Sequence, residues 1–242
     1  MMHLVFLHGL LGSQEDWQKI IENCPHFDCI ALDLPYHGTA KNRAVTDFAE
    51  CANYLAEQIQ SAVKNEPYFL IGYSLGGRIA LYYALQAQCE KGNLQGLIVE
   101  GANLGLKDDA EKAARWQNDE KWADRFCSTS LENLLEDWYQ QPVFAHLNEQ
   151  ERAALIQKRV GNCGENIGKM LRATSLAKQP YLGDKVRSSL LPIYYFVGEK
   201  DQKFRQMAAL EKLNTRIIPD AGHNAHLENP KGFVEALQGI LA

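Results

Sequence analysis

The sequence has no Cys-x-x-Cys pair, no excess of positive charge, no low-complexity tract and no internal repeat. Each absence removes a class of function. The six cysteines, at positions 24, 29, 51, 89, 127 and 163, match no zinc spacing. They are expected to be scattered reduced thiols of a cytoplasmic protein. A formal net charge of −5 gives no electrostatic support to a nucleic-acid or anionic-membrane role. The apolar stretch Leu4-Val5-Phe6-Leu7 is too short for a signal-peptide core and lacks a cationic start. No run approaches the roughly 20 apolar residues of a membrane helix. What remains is a small-molecule protein, with no nucleic acid, membrane span or protein partner implied.

The 242 residues carry ordinary apolar and charged fractions, and suit one α/β domain with an insertion or two small domains. Short apolar runs at Leu4–Leu7, Asp28–Leu32, Tyr68–Ile71, Leu94–Val99, Pro192–Val197 and Thr215–Ile218 predict strands. Amphipathic patterns near 14–22, 46–64 and 77–89 predict helices between them. The β-α-β-α order implies a mostly parallel sheet with helices on both faces. The alternation fails between about 104 and 185, where only helical patterns occur: Asp108–Phe126, Leu131–Tyr139, Asn148–Lys158 and Glu165–Leu176. The expected organisation is an α/β core at 1–103 and 186–242, with a helical lid at 104–185.

Residues 72–76 read Gly-Tyr-Ser-Leu-Gly, between a predicted buried strand and a predicted helix. A serine on that strand-to-helix turn is pushed out of the sheet, and the glycines keep neighbouring chain segments from clashing with it. Ser74 is therefore a candidate nucleophile or base. Near neutral pH its hydroxyl needs a base, and the base needs an orienting carboxylate. In such sheets the chain order is serine, acid, histidine. Asp201, after the Pro192–Val197 run, and His223, after the Thr215–Ile218 run, supply that order. Glu199 is a near rival two residues before Asp201, and Glu100 stands in reserve for the acid. His226, three residues after His223, is read as a support for the site rather than one half of a metal pair. His3, His26, His37 and His146 are expected to be ordinary surface or turn histidines.

An oxyanion needs donors. The Leu75 amide at a helix start is one candidate. Leu10, in the loop His8-Gly9-Leu10-Leu11-Gly12 after the first strand, is the other. Arg78 lies one helical turn beyond Ser74. It is either a salt-bridged structural residue or a carboxylate clamp suited to the guanidinium fork. The helical insertion adds Arg115, Arg125, Arg152, Arg159 and Arg172. Most should form a solvated face, with one or two closing over a substrate carboxylate.

His8-Gly9, the Gly72–Gly76 elbow, Gly198-Glu199-Lys200-Asp201 and Gly222-His223 together resemble the α/β-hydrolase superfamily. The run Gly72–Arg78, with Ile98-Val99-Glu100-Gly101, Asp137-Trp138-Tyr139-Gln140-Gln141-Pro142-Val143-Phe144, Ala173-Thr174-Ser175-Leu176-Ala177 and Ala221-Gly222-His223-Asn224-Ala225-His226, is similar to one family within it. That family is the 2-succinyl-6-hydroxy-2,4-cyclohexadiene-1-carboxylate synthases of menaquinone biosynthesis. The resemblance implies an α/β-hydrolase fold and a lyase that eliminates pyruvate from a cyclohexene tricarboxylate, without cofactor or metal. It implies a triad of Ser74, Asp201 and His223, substrate-binding Arg78, Arg115 and Arg159, and pocket residues Tyr73, Trp138 and Tyr139. The family often has an aromatic residue where this chain has Leu10. The triad motifs are equally compatible with a hydrolase of esters or C–C bonds, and with a non-catalytic ligand receptor.

Overall fold

The computed structural model describes residues 2–241. Six strands form one sheet: β1 (His3–Leu7), β2 (Asp28–Leu32), β3 (Tyr68–Tyr73), β4 (Leu94–Glu100), β5 (Ile193–Gly198) and β6 (Thr215–Ile218). Their order is β2-β1-β3-β4-β5-β6, and every neighbouring pair is parallel. The chain begins in the interior of the sheet, moves outward to β2, then returns past β1 to β3. The carboxyl ends of β1 and β3 therefore flank a point where the winding reverses, which is where open α/β sheets form crevices. Leu7 pairs with Gly72 across that point.

Alternation along the strands divides the core in two. Val5, Leu7, Leu70, Leu97, Val99, Tyr195 and Val197 face one layer. Leu4, Phe6, Ile71, Ile98, Phe196 and Ile218 face the other. Both faces are covered, so these strands are apolar on both sides, as parallel strands between helical layers are.

The helices are α1 (Gln18–Glu22), α2 (Phe48–Val63), α3 (Leu75–Leu85), α4 (Asp109–Ser128), α5 (Leu131–Trp138), α6 (Glu149–Arg159), α7 (Gly164–Ala173), α8 (Gly183–Ser188), α9 (Gln202–Leu210), α10 (Ala225–Glu228) and α11 (Pro230–Leu241). Helix α2 shows how local sequence makes them. Asp47 caps it by accepting from the Glu50 amide at 2.8 Å. Phe48, Cys51, Ala52, Leu55, Ile59 and Val63 recur at helical spacing and are buried.

Helix α3 starts two residues earlier than the pattern suggests and ends at Leu85 rather than near 89. Ser74 has φ 48° and ψ −107°, so the chain reverses on a single residue and Leu75 is already helical. Gly76 then falls inside the first turn, against β1: a Cβ there would lie 2.6 Å from the Leu7 carbonyl oxygen.

Between β4 and β5 the chain forms α4 to α8 and no strand. This segment has an apolar cluster of its own, including Phe126, Leu134, Leu135, Tyr139, Phe144, Ile167 and Leu171. Leu11, from the loop after β1, is part of that cluster. The segment is thus anchored on the same loop that borders Ser74.

Candidate active site

Ser74 leaves β3 at the winding reversal. Its amide donates to the Glu100 carbonyl of β4 at 2.8 Å, and its carbonyl accepts from the Arg78 amide at 3.0 Å. The strained φ is thus held by bonds on both sides. Gly72 is required by the turn itself, since a Cβ there would come within 2.6 Å of the Gly76 carbonyl oxygen.

His223 follows β6 and Asp201 follows β5. His223 Nδ1 lies 2.8 Å from Asp201 Oδ2. Asp201 Oδ1 accepts from the Phe204 amide at 3.2 Å. A carboxylate oxygen only accepts, so Nδ1 is the donor in this contact, which leaves Nε2 as the ring nitrogen turned to other partners. The imidazole is fixed by aromatic neighbours: Phe204 stacks on it with centroids 5.0 Å apart, Tyr73 lies at 5.2 Å and Phe144 at 5.9 Å.

Glu100 does not reach His223. Its carboxylate accepts from the His226 amide at 3.1 Å and lies 2.7 Å from His226 Nδ1. His226 is fully buried, stacked on Trp17 at 4.3 Å. It packs beneath Tyr73, at 4.7 Å.

The loop after β1 is braced by two histidines. His37 is a turn residue, its amide donating to the Leu34 carbonyl at 3.0 Å, but it is buried rather than on the surface; His3 is buried as well. His37 Nε2 accepts from the Leu11 amide at 3.2 Å while Nδ1 faces the Pro35 carbonyl at 2.9 Å. His8 Nε2 accepts from the Leu34 amide at 3.0 Å while Nδ1 faces the Gly9 carbonyl at 2.7 Å. Both rings are therefore neutral Nδ1–H tautomers. Burial and the neighbouring His8 push His37 down to about 3, and burial lowers His8. With the Leu11 amide given to His37 and the Gly12 amide to the Gly9 carbonyl, Leu10 borders the cavity. The Leu75 amide, first in its helix, has no intrahelical acceptor.

Two adjoining cavities meet at Leu10, Ser74, Trp138, Phe144 and His223. Tyr73, Tyr139 and Arg159 line one of them. Leu75, Arg78, Arg115 and Trp138 line the other. Of the remaining arginines of the helical segment, Arg125 pairs with Asp137, and Arg172 with Glu120 and Asp124. Arg152 donates to the Leu147 carbonyl. None of these three lines either cavity.

The cations of the site differ in how they are balanced. Arg159 donates two bonds to Asp16, at 2.9 and 2.8 Å. Burial opposes the charge on Arg159, but Asp16 outweighs it and raises its pKa. Tyr139 lies against the same guanidinium, and burial takes its phenol up to about 12. Arg115 Nε donates to Asp119 at 2.8 Å. Arg78 is buried and, among the described residues, has no carboxylate at ion-pair distance. It donates to the Thr174 carbonyl at 2.8 Å and to Gln179 Oε1 at 3.4 Å. Burial and the nearby Arg115 lower it to about 9.

Asp16, Lys203 and Asn103 also border these cavities, and no motif marks them. Asp16 reads as an ordinary capping residue of the turn begun by Ser13. Lys203 is one helical position past Gln202, with nothing in its neighbours to signal a cavity. Only the folded chain brings them to Ser74.

The alpha/beta hydrolase fold family matches this chain over residues 2–230. The chain is 62% identical over 241 residues to a Haemophilus influenzae (strain ATCC 51907 / DSM 11121 / KW20 / Rd) relative, covering 100% of this chain and 98% of the relative. It is 45% identical over 238 residues to the 2-succinyl-6-hydroxy-2,4-cyclohexadiene-1-carboxylate synthase of Enterobacter sp. (strain 638), covering 98% and 91% of the two chains. Among solved structures it superposes on MenH from S. aureus with a TM-score of 0.89 at 27% identity, covering 99% of this chain and 93% of the other. A thermophilic esterase from Thermogutta terrifontis, at 21% identity and a TM-score of 0.82, shares the fold. By full-length sequence kinship and by fold, the chain belongs to the 2-succinyl-6-hydroxy-2,4-cyclohexadiene-1-carboxylate synthase family of α/β-hydrolase proteins.

Proposed function

We infer that this protein is a lyase of menaquinone biosynthesis. It eliminates pyruvate from 2-succinyl-5-enolpyruvyl-6-hydroxy-3-cyclohexene-1-carboxylate to give 2-succinyl-6-hydroxy-2,4-cyclohexadiene-1-carboxylate. The observation that carries this reading is Arg78. A buried cation with no anion at ion-pair distance is costly, and this one borders the cavity that holds Ser74 and His223. A carboxylate of the substrate relieves that cost, and a simple ester offers none.

In the proposed mechanism His223 Nε2 takes the Ser74 hydroxyl proton, and Asp201 stabilises the resulting imidazolium. Ser74 Oγ removes a ring proton. The C–H electron pair becomes the new ring double bond, and the ring C–O bond to the enolpyruvyl group breaks. The leaving group departs with that bonding pair, takes up a proton and becomes pyruvate. No acyl-enzyme forms and no water is consumed. The charge that develops before the C–O bond breaks spreads into a conjugated carboxylate, held by the Leu10 and Leu75 amides. Arg78, Arg115 and Arg159 hold the carboxylates and so fix the ring over Ser74 Oγ, with Tyr73, Trp138 and Tyr139 as walls. The helical segment at 104–185 acts as the lid that carries Arg115, Trp138, Tyr139 and Arg159 to the site. The protein works in the cytoplasm on this small polyanion.

The test is a pyruvate-release assay on the tricarboxylate, beside a panel of nitrophenyl esters. Pyruvate release abolished in Ser74→Ala supports the lyase. Rapid ester turnover with a burst, and no pyruvate, overturns it in favour of a hydrolase.

A further inference from the structure

One carboxylate holds both peptide units that flank His223. Glu228, the last residue of α10, accepts from the Gly222 amide through Oε2 at 2.5 Å and from the Asn224 amide through Oε1 at 3.1 Å. These are the residues on either side of His223, so the loop position of the imidazole is set from α10 as well as from Asp201. The same Oε1 lies 2.9 Å from Nε2 of His146. His146 belongs to the helical segment between β4 and β5, two residues from Phe144, whose ring abuts that of His223. His146 is thus a contact residue and not an ordinary surface histidine. Gly222 accommodates it: a Cβ on Gly222 would run into the His146 ring.

We propose that Glu228 is the positioning residue of His223, and that His146 ties this clamp to the helical segment. The proposal rests on the reading of His223 as the base. Three donors converge on the Glu228 carboxylate: the Gly222 and Asn224 amides and the His146 ring. Against the cost of burial, His146 and the two amides lower its pKa. The Glu228 bond correspondingly raises His146, against burial, with Asp201 assisting and Lys200 opposing. The other charges around that cleft are Glu15, Asp16, Lys19 and Glu22 from the turn after β1 and α1, Glu151 and Lys158 on α6, Lys200 after β5 and Asp220 after β6. A raised histidine keeps its charged contact below the raised value and loses it as pH rises through it. The tie is therefore strongest on the acid side and slackens on the alkaline side.

A base shifted by a fraction of an ångström loses alignment with Ser74 while the arginines stay in place. Glu228→Gln keeps the size but can accept at one atom only, so one flanking amide is released. It is expected to lower kcat for pyruvate release about tenfold or more, with KM changed by less than about twofold. The downfield proton resonance of the His223 Nδ1–H bond to Asp201, assigned by its loss in His223→Gln, should shift or broaden. His146→Gln should remove the alkaline decline in kcat attributable to loss of the His146 charge. Should Glu228→Gln not fold, Glu228→Asp, which withdraws the charge by one methylene, is measured in the same way. Wild-type kcat with an unmoved resonance in the Glu228 variant overturns the proposal, as does an alkaline limb that persists in His146→Gln. The resonance is read without substrate, so a protein that releases no pyruvate sinks the lyase reading and leaves the Glu228 clamp separately decided.

Discussion

Arg159 on α6 and Asp16 on the turn after β1 meet through two parallel N–H···O contacts, across 143 residues of sequence. Both are buried. Lys158 adds a second cation at 2.7 Å from Asp16. The helical segment is therefore riveted to the β1 loop beside the candidate oxyanion donor.

Removing one partner of a buried ion pair leaves the other charge uncompensated. Asp16→Asn is expected to cost about 3–5 kcal/mol of stability, read as a drop in the urea midpoint. The carboxyl is held well below the usual range, because Arg159 and Lys158 outweigh burial. A depressed carboxylate contributes fully above its unfolded pKa of about 4 and loses that contribution as pH falls toward the folded value. Wild-type stability should thus fall below about pH 4, and this component of the acid loss should be absent from Asp16→Asn. Equal acid slopes in the two proteins would refute it.

Arg78 is the contrasting case, a buried cation with no carboxylate at ion-pair distance among the described residues, Asp119 acting on it only from further off. Arg78→Met should leave stability unchanged or raise it, since it removes a desolvated charge. It should lower kcat/KM for the tricarboxylate about 10- to 100-fold, the worth of a charged hydrogen bond in a buried site. Steady-state kinetics beside thermal melts separate the two effects. A destabilised Arg78→Met with unchanged kcat/KM would make the residue structural.

The Ser74 backbone, at φ 48°, is a conformation that glycine adopts at little cost. Ser74→Gly should therefore be more stable than Ser74→Ala by about 1 kcal/mol, although both lose pyruvate release. Chemical denaturation of the pair measures it. Equal stabilities would mean that the turn is not strained.

Lys203 borders the Arg78–Arg115 cavity, over the Phe204 ring at 5.2 Å. Burial and Arg115 lower its pKa. It is charged only below that lowered value, so KM for the polyanion should rise as pH climbs through it. Lys203→Gln should raise KM several-fold at neutral pH, roughly 1 kcal/mol of binding, and flatten this KM trend. A KM–pH curve that is identical in wild type and variant would exclude Lys203 from binding.

Much of the local structure was legible because backbone rules act over a few residues. The apolar runs marked all six strands, and the G-x-S-x-G turn fell where β3 ends. Helix α3 starts at Leu75, two residues before the 77–89 pattern, because Gly76 belongs to the G-x-S-x-G motif and reads as a turn residue. Close approach to β1 is what demands the small residue at 76, and that contact is not local. The burial of His37 is not legible for the same reason: it is a turn residue, but the Leu11 amide that closes over its Nε2 comes from another loop.

The sequence by itself determined the strand and helix alternation, the chain order of Ser74, Asp201 and His223, and the family. The alternation and the chain order follow from periodicity, turn chemistry and motif spacing; the family follows from the resemblance of whole segments to known relatives. Only the tertiary structure decided how charge is balanced. It gave Asp16 to Arg159 and Glu100 to His226, left Arg78 with no carboxylate at ion-pair distance among the described residues, and wrapped Glu228 around the His223 loop. Ion pairing between distant residues depends on where packing delivers each side chain, and no spacing along the chain encodes that.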